Sequence, residues 1–220
     1  MVRLAIALVP FALCIQLAAG LWPMPTNLKT GTTPLRLSSS FAIDVHVSNA
    51  PSDLSDAVAR TKAFLVQDKL QRLVVGRGAS DAQGVQAAKT LSTLSVSIVG
   101  SRPVQSISKE AILDLSERSE AYSLTVPSDG SEAKLTAEST LGLLRGFYLH
   151  IFIAFSNSLY QSGLTTFSQL WYQLQNTIYT MQAPVAITND SPAYPYRGFM
   201  LDTARNLYAF LEALLLSSPH

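Results

Sequence analysis

The chain has 220 residues, 48% of them apolar and 14% charged, with a formal net charge of +1. That apolar content excludes a disordered tail and supports one packed domain plus part of a second. The near-neutral charge, with its basic residues scattered, excludes the footprint of a nucleic-acid binder.

Residues 1–20 read as a secretory signal peptide. Arg3 supplies the positive start, 4–17 is an apolar run too short for a stable membrane span, and Ala18-Ala19-Gly20 offers small residues for cleavage. The expected mature chain begins at Leu21 and enters the secretory path, to be secreted or held in a lysosome-like lumen. Cys14, the only cysteine, lies inside this leader, so no disulfide is expected beyond it.

Pro23, Pro25 and Pro34 predict an irregular or edge segment after the leader. Residues 40–48 alternate, with Phe41, Ile43, Val45 and Val47 on one side and Asp44 and His46 on the other, which predicts a half-buried strand. Ser52 or Asp53 can cap a helix over 53–73, with Leu54, Val58, Phe64 or Leu65, and Leu73 on its apolar face. Residues 75–88 read as a loop. Gly76-Arg77-Gly78 lacks the further glycine or Lys-Ser/Thr pair of a phosphate loop.

Strands are predicted at 91–99, 121–126 and 133–137. The last two are joined by Pro127-Ser128-Asp129-Gly130, where proline sets one φ and glycine supplies a positive one. A helix starts near Glu138 and Ser139, and another covers 164–171. Between them, 147–162 is nearly uncharged and lacks a polar face. Residues 182–188 read as a short strand. Asn189-Asp190-Ser191 is a glycosylation sequon weakened by Pro192. Residues 198–203 read as a strand apolar on both faces until Asp202, the pattern of a parallel strand buried on two sides. Hairpin strands with helices on one face predict an α+β layer. His46, His150 and His220 form no His-Glu-x-x-His pattern, so no metal or other cofactor is expected.

The stretch Asp190-Ser-Pro-Ala-Tyr-Pro-Tyr-Arg-Gly-Phe-Met-Leu-Asp-Thr-Ala-Arg205 resembles the start of the catalytic barrel of β-N-acetylhexosaminidases, glycoside hydrolase family 20. Leu135-Thr-Ala137, Gly142-Leu-Leu-Arg-Gly146 and Thr166-Phe-Ser-Gln-Leu170 resemble that family's last helix before the barrel. Leu21-Trp-Pro-Met-Pro25 and the strands around Ser95 and Tyr122 resemble its non-catalytic N-terminal domain. The resemblance implies an antiparallel sheet covered by helices over 21–184, zincin-like in layout but without zinc. Residues 185–220 would be a linker and the first strand and helix of a (β/α)8 barrel.

It also implies retaining, substrate-assisted hydrolysis of terminal N-acetylhexosamine, in which the substrate's acetamido oxygen attacks the anomeric carbon. An adjacent Asp-Glu pair on a later barrel strand serves that chemistry in the family. By motif, Arg205 corresponds to the arginine that holds the sugar's outer hydroxyls. Its place at a strand's C-terminal end is where barrel active sites lie, and a guanidinium offers fixed donors to paired hydroxyls. The alternative for Arg205 is an ion pair with Asp202, and both can hold at once. Asp202 is otherwise a supporting acid, and Arg197 belongs to the domain junction.

Two departures bear on function. The chain ends 15 residues after Arg205, without the Asp-Glu pair, so a truncated barrel start without activity of its own is expected. Removing 147–162 with one flanking glycine restores the family's helix, so this segment reads as a retained intron, a genuine insertion being the alternative. N-acetylhexosamine-bearing glycans, chitin among them, are the implied substrates, and a homodimer is expected of the complete enzyme. The other function class left open is a non-catalytic secreted module that packs on a catalytic partner or binds glycan.

Overall fold

The computed structural model describes residues 21, 24–67, 81–144, 163–174 and 176–194. The leader at 1–20, the segment 147–162, the strand at 198–203 and the residues Arg197, Asp202 and Arg205 lie outside the described residues, as do His150 and His220.

In chain order the elements are β1 (Leu28–His46), α1 (Ser52–Gln67), α2 (Ala82–Gln86), β2 (Lys89–Ile98), α3 (Ile107–Ala111) and β3 (Tyr122–Val126). Then come β4 (Ala133–Ala137), α4 (Thr140–Leu143), α5 (Gly163–Gln169), β5 (Tyr172–Leu174) and β6 (Thr177–Asp190). The strands form one six-stranded sheet in the order β1-β2-β4-β3-β6-β5, with β1 also paired to β6.

The expected antiparallel sheet is instead mixed. β1 runs parallel to β2, and β2 parallel to β4, while β3–β4, β3–β6, β5–β6 and β1–β6 are antiparallel. Connection length explains the split. The four-residue expected turn at 127–130 reverses the chain directly, with Gly130 at φ +80° and the Asp129 carboxylate accepting from Ser131 N (2.9 Å) and Oγ (2.7 Å). β1 reaches β2 only through α1 and α2, and a crossover that contains a helix returns the chain in the same direction.

β1 is far longer than the strand predicted at 40–48, and the proline-rich stretch before it is not irregular throughout. Its first part, from Leu28 to Arg36, pairs with β6, and its second part, from Leu35 to His46, pairs with β2. One strand thus pairs with both β2 and β6, which lie toward opposite ends of the strand order, so the sheet curls on itself. Pro34 fits because it sits at a register shift between Thr33 and Leu35, where no ladder N–H is required. β6 likewise passes position 184, the expected end of the domain, and stays in the sheet to Asp190. The loop expected at 75–88 contains α2 within its described part. α3 and β5 have no counterpart in the sequence reading.

The predicted alternation is seen where the ladder is regular. Tyr122, Leu124 and Val126 on β3, and Ala133, Leu135 and Ala137 on β4, are buried, with the intervening side chains outside the core. On β1 Ile43 is buried, Phe41, Val45 and Val47 pack against the core, and Asp44 and His46 are exposed. α1 buries Leu54, Ala57, Val58 and Leu65, the i, i+3/i+4 stripe of an amphipathic helix. The Asp53 carboxylate is engaged with α3, accepting from Ser108 N (3.1 Å) and Oγ (3.3 Å). α4 starts at the expected place: the Ser139 hydroxyl accepts from Gly142 N (2.9 Å) and donates to Ser119 O (2.7 Å). α5 closes the layer with Leu164 and Phe167, followed by Leu170 and Trp171, all fully buried. α2 sits apart, with Val85 against Tyr172 and Tyr179.

Candidate functional site

The end of β6 is where the folded sheet hands the chain to the stretch that carries Arg205. Asp190, the last residue of β6, is the cross-strand partner of Tyr122 on β3. Its side chain is 4% exposed, and its Oδ1 accepts from Thr26 N at 2.8 Å. Tyr122 in turn shares a 2.9 Å hydrogen bond between its hydroxyl and Thr166 Oγ1 on α5. The chain before β1, α5, the first residue of β3 and the last residue of β6 therefore meet at one buried polar knot. Asp190 is bonded to Thr26 and Tyr122 to Thr166, so both buried polar side chains have a partner, as burial requires. Sequence reasoning missed Asp190. In the sequence it is the middle residue of a sequon and the first of the stretch that resembles the barrel start, and no local signal distinguishes a buried acid there from an exposed one.

Burial pushes the Tyr122 hydroxyl above its ordinary pKa of 10.0. The Thr166 hydrogen bond opposes that shift, and the negative charge of Asp190 adds to it. The folded chain therefore holds the phenolic proton more tightly than the unfolded chain. Stability from this group is complete below the unfolded value and is lost as pH climbs past it toward the folded one. Urea unfolding at about pH 8 and about pH 11 should show this loss in the native chain and a smaller one in Tyr122→Phe. Equal losses in both would remove Tyr122 as the source.

Of the candidate site residues Asn189, Arg197, Asp202 and Arg205, Asn189 is the one that lies within the described residues. It is exposed, at φ +46°, with its backbone N donating to Ser123 Oγ at 2.9 Å. The sequon's amide and Ser191 thus face solvent while Asp190 between them does not. Among the described residues no three His, Cys, Asp or Glu side chains are placed to hold a metal ion, and no helix is long and apolar enough to cross a membrane.

Comparison with known proteins decides the family. Residues 21–148, which run from the start of the described chain through α4, match the family described as beta-acetyl hexosaminidase like. The chain belongs to that family. Its hexosaminidase relatives include the beta-hexosaminidase subunit beta of Felis catus, 30% identical over 194 residues, covering 86% of this chain and 30% of that protein. The beta-hexosaminidase subunit B2 of Dictyostelium discoideum is 25% identical over 200 residues, covering 88% and 29%. The chitooligosaccharidolytic beta-N-acetylglucosaminidase of Bombyx mori is 29% identical over 196 residues, covering 86% and 27%. The chain spans less than a third of the length of each of these three relatives. Among solved structures, Flavobacterium johnsoniae chitobiase superposes with a TM-score of 0.48 at 20% identity, covering 86% of this chain and 23% of that one.

Proposed function

We propose that the described sheet is the non-catalytic N-terminal domain of a β-N-acetylhexosaminidase and that the stretch from Tyr194 opens its catalytic barrel. The observation that carries this is the family match over 21–148, the residues that build β1 to β4. Relatives named for hexosaminidase and for chitooligosaccharide hydrolysis support the reaction class and its substrates, terminal N-acetylhexosamines. In this reading the knot at Asp190 has a mechanical purpose. It fixes the direction in which the chain leaves the sheet, and so where the first barrel strand begins. Arg205, at the end of that strand, holds the outer hydroxyls of the terminal sugar, and Asp202 orients it. A charged hydrogen bond of this kind is worth about 1.5–3 kcal/mol.

A chimera tests the assignment. Residues 21–205 replace the aligned segment of the Felis catus beta subunit, and release of nitrophenol from its N-acetyl-β-glucosaminide is followed. The chimera should turn over, and its Arg205→Ala variant should lose about 10- to 150-fold in kcat/KM. A folded, active chimera indifferent to Arg205→Ala would remove the sugar contact. The second reading, a non-catalytic module that packs on a catalytic partner or binds glycan, gives a folded chimera without turnover, so the chimera separates the two.

A further inference from the structure

A concave pocket of about 650 Å³ opens where β1, the last turns of α1 and the β5–β6 hairpin meet. Its floor comes from a wide irregularity in β1. Leu37 pairs with Leu91 and Ala42 with Thr93, so Ser38, Ser39, Ser40 and Phe41 stand opposite the single residue Ser92. Bulges of this kind re-aim side chains and recur beside binding sites. Phe41 uses the irregularity to stack on Phe167, ring centroids 5.7 Å apart and planes 12° from parallel. The three serines gain no core burial from it.

The pocket's chemistry is one-sided. Arg36 and Lys62 line it, and no aspartate or glutamate does among the described residues. The Arg36 guanidinium is held in place by Nε donating to Ala88 O (3.3 Å) and Nη2 donating to Thr90 Oγ1 (3.4 Å). Among the described residues Nη1 has no partner, and the exposed Lys62 ammonium has none either. Among the described residues no carboxylate faces these two cations, and together they favour an anion at this concavity. A guanidinium anchored through two donors keeps the planar geometry that suits carboxylate and sulfate oxygens. The Phe41 ring adds an apolar platform, and Gln173 and Asn176 add amides able to bond hydroxyls. The volume lies within the roughly 300–1,000 Å³ of small-ligand sites.

We propose that this pocket binds a short acidic saccharide, with Arg36 and Lys62 holding its carboxylate or sulfate and Phe41 carrying a sugar face. The inference does not rest on the role given to Arg205.

Calorimetric titration of the 220-residue chain tests it with three probes: a disaccharide of glucuronate and N-acetylgalactosamine 6-sulfate, neutral chitobiose, and sodium sulfate. The acidic disaccharide should bind more tightly than the other two, and more weakly as salt is raised. Lys62→Gln, at an exposed position, should weaken it roughly tenfold with unchanged thermal unfolding, and Arg36→Lys should weaken it comparably. Sulfate alone binding as tightly would overturn the saccharide in favour of a bare anion site. Equal binding of chitobiose, no binding of the acidic probe, or indifference to Lys62→Gln would each overturn the proposal.

Discussion

Phe167→Ala should lower the free energy of unfolding by about 3–5 kcal/mol, read as a fall in the urea midpoint at unchanged slope. Phe167 is fully buried in α5, stacked on Phe41 of β1 and tilted against Trp171 at a centroid distance of 5.6 Å. It is the one ring that contacts both of the others, so truncation removes two aromatic contacts along with the apolar transfer term. The void that remains is bounded by a strand and a helix end, which cannot collapse independently to fill it. Phe167→Leu keeps most of the volume and should cost less than about 1.5 kcal/mol. If the alanine variant cost no more than the leucine variant, α5 would not be packed on β1 as described.

Gly31→Ala should also destabilise, by about 1–3 kcal/mol in the same assay, although the substitution adds a single methyl group to a strand. A Cβ at Gly31 would meet the backbone carbonyl oxygen of Ala183 and would lie 2.5 Å from Pro184 Cδ. Both obstacles are fixed, one a main-chain atom and the other part of a ring. Relief therefore requires β1 and β6 to separate where they pair on either side, at Thr30–Val185 and Thr33–Ala183. Gly84 provides the contrast. In α2 its nearest neighbour would be Pro34 Cγ at 3.9 Å, so Gly84→Ala should stabilise by about 0.4–1 kcal/mol through the unfolded chain's lost freedom. A neutral Gly31→Ala would mean that the two strands can part without cost.

Much of the sheet was legible residue by residue. The hairpin of β3 and β4 could be read from Tyr122, Leu124 and Val126, the Pro127 to Gly130 turn, and Ala133, Leu135 and Ala137, because alternation and turn chemistry are local. The start of α4 at Ser139 was legible for the same reason. Strand partnership was not. Leu28 to Arg36 pairs with residues some 140 to 160 positions away, and nothing near Leu28 encodes that choice. The short α3 and β5 are too brief to show a period. Family membership was legible in motifs concentrated at 190–205, while the family match itself falls on 21–148.

By itself, then, the sequence determined the apolar faces, the turns, the helix start at Ser139 and the family, since each depends on residues within a few positions of one another. The tertiary structure alone decided that the sheet is mixed, that β1 pairs with both β2 and β6, that Asp190 is buried against Thr26 and beside Tyr122, and that Arg36, Lys62 and Phe41 face one pocket. Those outcomes depend on which distant segments exclude water together. A carboxylate at position 190 reads the same in the sequence whether water or the start of β3 lies beside it, and only the packed chain chooses between the two.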